Sequence, residues 1–276
     1  ARNADNPNSF GEALMTYALA EGASISQIPE LLDATSERIR RIRKKISLQN
    51  NAWEKGSLST WNYQALKAAA FAVDQKDFDT FVKQTALQLL HRKQSEALGK
   101  QVSLNELNDI FSRTYSLQLF GYAKHQTVSK YFSYALRHNR GFMLDCNWNT
   151  NETWPLYNWY YRTNAIFSSE SNLGTNWNKW SKTLVDTLRQ HQNSNGSFVS
   201  PEIAGAYNQS GENIPTFKSE RNLTVYSTSL CALMLQTKYR YRESYFNSDK
   251  KETTELIPPE ISFKTGTAAL RQKLRQ

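Results

Sequence analysis

The chain has 276 residues, with 34 Lys and Arg against 25 Asp and Glu, a formal net charge of +9 and a mean hydropathy of -0.66. That length suffices for one large domain or two small ones, and no apolar run approaches the roughly 20 residues of a bilayer span, which excludes a transmembrane helix within the sequence given. Two cysteines, Cys146 and Cys231, are too few for a disulfide scaffold; Cys231, inside Leu230-Cys-Ala-Leu-Met-Leu, reads as a small buried hydrophobe, and whether the two meet is open.

Taken in order, the polar lead ARNADNPNS starts at Ala1 without Met. It fits an exported protein whose signal has been removed, so an exported or periplasmic location is expected, with a cytoplasmic one as the alternative. FGEALMTYALA, from Phe10 to Ala20, predicts a mostly buried helix ended by Gly22. Ser26 and Pro29 open a long second helix whose narrow stripe is Leu32, Thr35, Ile39, Ile42 and Ile46, with arginines on its other faces. After a loop at 49–57, Trp61, Tyr63, Leu66 and Phe71 mark a third helix rich in alanine, and Phe78, Phe81, Val82, Thr85 and Leu89 a one-sided fourth. Leu107, Ile110, Phe111, Tyr115, Leu119 and Tyr122 give the next stripe, and Val128, Tyr131, Phe132, Ala135 and Leu136 the one after it.

The stretch 154–198 carries the clearest unit. Trp159, Tyr160, Thr163, Ile166 and Phe167 form one helical stripe and Tyr157, Tyr161 and Ala165 a second. A helix apolar on two sides is packed between neighbours. Ser171-Asn172-Leu173-Gly174 breaks it, and Thr175 is the expected cap of the following helix, which aligns Trp177, Trp180, Leu184, Leu188 and His191 and leaves its other face wet. A polar segment from 199 to 222 reads as a lid or docking loop, or as a tolerated insertion. A fifth inner helix follows over Thr224–Thr237, and beyond Asn247 the chain is charged and contains Pro258-Pro259.

Inner helices thus begin at Phe10, Trp61, Thr114, Tyr160 and Tyr226, a spacing of about fifty residues of the kind that stacked repeats show. Helices apolar all round alternate with one-sided ones. The expectation is an all-α fold, an incomplete or closed α/α toroid of about five helical hairpins over residues 1–246, followed by a basic extended tail over 247–276 with Lys264, Arg271, Lys273 and Arg275.

WNKWSKTLVDTLRQHQNSNGSF followed by VYSTSLCALMLQTKYRYRESYF resembles the prenyltransferase and squalene-oxidase repeat proteins, the toroid group that includes terpenoid cyclases and protein prenyltransferase β subunits. Gln192, Gly196 and Phe198 match the pattern that ends the outer helix in that family, with Phe where Trp is usual. Tyr157 to Asn164, Trp177 to Trp180 and Tyr226 to Tyr241 are similar to segments of exported bacterial members. The likeness is good from about residue 150 to 246 and weaker from residue 9 onward. It implies a hydrophobic central cavity for an isoprenoid-like substrate. The Asp-x-Asp-Asp acid of triterpene cyclases does not occur, and Asp145 and Cys146 are adjacent where the zinc site of prenyltransferases spaces them by two. Adjacent residues diverge, so they are poor partners for one metal.

Trp148, Trp154, Tyr157, Trp159 and Tyr160 crowd beside Asp145 and Glu152, and Trp61 opens the equivalent helix of another unit. Those rings are candidates for a ligand cavity, with Asp145 or Glu152 as an acid; the plainer reading is aromatic filling with solvated or capping carboxylates. His91, His125, His138 and His191 show no ligand spacing, so no metal and no cofactor are expected. The basic run with Arg38, Arg41 and Lys45 lacks stacking aromatics, which argues against nucleic acid and leaves an anionic surface open. Arg38, Arg41, Lys45, Tyr207 and Phe217 are the candidate partner contacts. Two functions are weighed: a non-catalytic or catalytically unassigned toroid acting as a binding or scaffold subunit, for a protein of a larger assembly or a glycan; and a terpenoid cyclase-like or prenyltransferase-like enzyme.

Overall fold

The computed structural model of the chain describes residues 9–48, 60–73, 78–91, 104–138, 146–148, 155–170, 174–199 and 220–240. Regular structure among them is helical: α1 (Ser9–Ser26), α2 (Pro29–Leu48), α3 (Thr60–Ala72), α4 (Phe78–His91), α5 (Leu104–Leu119), α6 (Gln126–His138), α7 (Pro155–Glu170), α8 (Thr175–His191) and α9 (Glu220–Arg240). The protein is therefore all-α over this range. It divides into two compact units, one holding α1–α4 and Leu119–Tyr122, the other α5 up to Gln118 and α6–α9. The 247–276 tail and positions 200–219 of the polar loop lie outside the described residues.

In the first unit α1 packs on α2 and α3, and α3 on α4. Small residues make the close approach possible: Ala13, Ala20 and Ala23 of α1 and Ala65, Ala68 and Ala69 of α3 are all buried. Tyr17 meets Trp61 edge to face at 5.4 Å. On α2 the stripe Thr35, Ile39 and Ile42 is buried, as its spacing predicts. Helix α1, however, runs past Gly22 to Ser26. Its stop is Gln27, in the left-handed region at φ 57, whose amide donates to the Ala23 carbonyl and whose side chain donates to Ser24 O at 2.8 Å. Pro29 then bars Ile28 from a helical conformation and starts α2. Leu14, Met15 and Ile25 of α1 and Ile28 in the turn are exposed, Ile25 by 68%.

The second unit is built around α7, in which every residue from Pro155 to Ser168 is buried. Helix α8 buries one stripe, Trp177, Trp180, Leu184 and Leu188. Helix α5 adds Leu107, Ile110, Phe111 and Tyr115, and its Gln118 side chain donates to the Ala165 carbonyl of α7 at 3.2 Å and to Ser169 Oγ at 2.7 Å. Helix α9 packs on α7; it buries Ser227, Leu230, Cys231, Met234 and Thr237 and exposes Val225 and Leu235. It is one-sided, which corrects the expectation of an inner helix apolar all round. Cys146 and Cys231 are both buried and are not joined by a disulfide.

Two local devices fix the ends of α8. At its start the N-cap position is Gly174, not Thr175, and no side chain at that position caps the helix. The last residue of α7 does so instead: Glu170 Oε2 accepts the Trp177 amide at 2.9 Å while its other oxygen accepts Asn176 Nδ2. Gly174 lies in extended backbone, but a Cβ there would overlap the Glu170 side chain. Glu170→Ala and Gly174→Ala are each expected to cost about 1 kcal/mol, and the double variant little more than either, because both remove one cap. Urea denaturation of the three variants checks this; additive losses would assign the glycine another role.

At its other end α8 closes in a hairpin. Gln192 and Phe198 bridge as antiparallel neighbours, and Asn193 donates its amide to the Ser197 carbonyl at 2.8 Å. Gly196 takes φ +84, a value that favours glycine, and Gln192 Nε2 holds its carbonyl at 3.1 Å. Phe198 is delivered into the core at 4% exposure, and its amide donates to Thr228 Oγ1 of α9 at 3.1 Å. The spacing Gln192, Gly196, Phe198 thus has a physical reason: a side-chain lock, a left-handed turn and an anchor.

Candidate functional site

The candidate rings do not sit as one exposed wall. Tyr157, Trp159 and Tyr160 are 1–2% exposed, and each lies against another ring. Tyr157 packs edge to face on Tyr161 at 4.8 Å, Tyr160 on Tyr161 at 5.2 Å, and Tyr115 of α5 approaches Tyr160 and Tyr161 at 6.5 and 6.0 Å. Trp148 lies 6.0 Å from Trp159. Trp61 belongs to the first unit, where it is buried against Tyr17. Burial pushes the Tyr157 phenol far above its usual range, the Asp109 carboxylate adds to this, and a hydrogen bond with Tyr161 opposes it. A phenol held protonated in this way is a core hydrogen-bonding group rather than a base.

One residue at this centre escapes a reading by stripes. Arg162 is 1% exposed, its guanidinium 5.3 Å from the Trp180 ring and 5.7 Å from the Phe111 ring, with Nη2 donating to Asn108 Oδ1 at 3.3 Å. Two ring faces and an amide oxygen surround a charge that would otherwise be costly to bury. The one signal for it was a lone arginine inside Tyr-Asn-Trp-Tyr-Tyr-Arg-Thr-Asn. His191 stacks on Trp148 at 4.6 Å and 12° between planes, and its Nδ1 lies 2.8 Å from the Thr187 carbonyl. Trp148 and His191 are half-buried, and Phe198 lies 6.5 Å from Trp148. Thr187 Oγ donates to the Cys146 carbonyl at 3.1 Å and so ties the segment 146–148 to α8.

Compared with family models, curated proteins and solved structures, the chain matches none. Its function therefore rests on its own residues.

The candidate acids Asp145 and Glu152, the ring of Trp154, and Tyr207 and Phe217 lie outside the described residues. Of the basic run, Arg38 pairs with the buried Glu12 of α1 at 3.2 Å, Arg41 with Glu37 at 3.2 Å, Arg40 also with Glu37, and Arg43 stands 5.1 Å over the Phe81 ring. Arg38 thereby joins α2 to α1, a structural task the charge pattern did not reveal. Lys45 is in α2, and its side chain lies outside the described residues. Among the described residues no group of three or more His, Cys, Asp or Glu could hold a metal ion, and no helix is long and apolar enough to cross a membrane.

Proposed function

We propose that the protein is a binding or scaffold subunit with an α/α-toroid architecture, non-catalytic or catalytically unassigned. The observation that supports this reading is the state of α7: every residue from Pro155 to Ser168 is buried, and its Tyr157, Tyr160 and Tyr161 rings pack on one another and near Tyr115 of α5. A packed aromatic centre supplies rigidity, whereas an enzyme of the cyclase kind requires an open aromatic-lined pocket holding an acid. The exposed large apolar side chains of α1 and its following turn, Leu14, Met15, Ile25 and Ile28, support a polypeptide partner, since such side chains at a surface are what protein contacts cover. The mouth of the toroid, the 199–222 loop and the basic tail are further surfaces for the same purpose.

Native mass spectrometry of the protein purified from its source tests the proposal. The expected result is a complex with other polypeptides that dissociates in the Met15→Lys, Ile25→Lys double variant, whose melting temperature stays that of the parent. A retained isoprenoid-like or lipid mass with no polypeptide would overturn it in favour of the cyclase-like enzyme.

A further inference from the structure

The hairpin after α8 holds an Asn-Gly pair at its tip, and we propose that Asn195 is a site of spontaneous covalent modification: cyclisation to a succinimide and reopening to isoaspartate. Asn195 and Gly196 are exposed, and Gly196 offers a backbone nitrogen with no Cβ beside it to block attack. The electrophile is already polarised. Asn195 Oδ1 accepts both the Ser197 amide at 3.0 Å and the Ser197 hydroxyl at 2.7 Å. Two donors on one amide oxygen draw electron density from Cγ and are placed where negative charge develops when that carbon is attacked. Gly196 N currently donates to Asn193 O at 2.9 Å, so each event begins with a local opening of the exposed turn.

The chemistry balances within the chain and water. Gly196 N loses its proton and bonds to Asn195 Cγ; the amide C–N bond breaks, and the NH2 group leaves as ammonia with that proton. Water then adds to one imide carbonyl and the ring C–N bond breaks, leaving a carboxylate and releasing a proton. Opening at the backbone carbonyl moves the main chain through the side-chain methylene, one atom longer than before. The rings closed by Gln192 Nε2 to Gly196 O and by Asn193 N to Ser197 O no longer fit that length. Phe198 and its bond to Thr228 depend on the same turn, so the modification loosens the seat of α9.

The test is incubation of the folded full chain at neutral to mildly alkaline pH, with a parallel sample unfolded in urea, followed by peptide mapping in water enriched in heavy oxygen. The expected result is a gain at Asn195 in the folded sample, isoaspartate as the main product, and a rate lowered about three- to tenfold by Ser197→Ala, which removes the hydroxyl donor. In urea the same substitution should have little effect. An intact Asn195 in the folded protein while the unfolded chain converts would mean that the hairpin protects the residue, and the proposal falls. An unchanged rate in folded Ser197→Ala would equally overturn it.

Discussion

Trp180→Ala is expected to remove about 4 kcal/mol of stability, seen as a lower urea midpoint with little change in slope. The side chain is fully buried, its Nε1 donates to Thr163 Oγ1 at 2.9 Å, and its ring is one of the two flanking the Arg162 guanidinium. Truncation therefore leaves a cavity and at the same time uncovers a buried charge. Trp180→Phe separates these effects. It keeps an aromatic face beside Arg162 and loses the hydrogen bond, for a cost of about 1–2 kcal/mol. Thr163 Oγ1 would still donate to Trp159 O at 2.7 Å, so its hydroxyl is not abandoned. If the Phe variant fell as far as the Ala variant, the indole N–H rather than the ring would be the dominant contribution.

Phe198→Ala is expected to cost about 3 kcal/mol, the scale of deleting a buried aromatic ring. Here the loss has a directional component. Phe198 follows α8 in the chain, and its amide is committed to Thr228 of α9. Amide hydrogen exchange should accordingly quicken in α9 more than in the Trp177–Leu188 part of α8. Equal quickening of the two would show that the ring serves the unit as a whole. Phe198→Trp tests how closely the site is fitted to a phenyl ring. With the Trp148 ring 6.5 Å away, the larger indole has to displace a neighbour, and a destabilisation of about 1–3 kcal/mol is expected.

The elements legible in the sequence are those whose cause is local. The stripe Trp177, Trp180, Leu184 and Leu188 is a property of one helix and its period, and it is buried as expected. The two stripes of α7 announced a helix enclosed on both sides, which it is. What was not legible depends on partners distant in sequence. Gly22 looked like a stop because glycine often is one, yet the chain continues until Pro29 forces the issue and Gln27 accepts a left-handed conformation. The cap of α8 comes from the preceding helix across a turn, so no inspection of Thr175 could find it. Arg162 is met in the core by Phe111, Asn108 and Trp180, which come to it from two other helices. The candidate rings were identified by crowding alone, and crowding does not distinguish a lined cavity from a filled one.

The Gln118 bond to α7 has a consequence separate from strength. Two apolar helices can slide past one another by a turn, about 5.4 Å, and re-form contacts of similar quality. An amide that must find the Ala165 carbonyl and the Ser169 hydroxyl together cannot. Its contribution is to uniqueness: it selects one alignment of α5 and α7 among packings that hydrophobic burial alone would leave nearly degenerate.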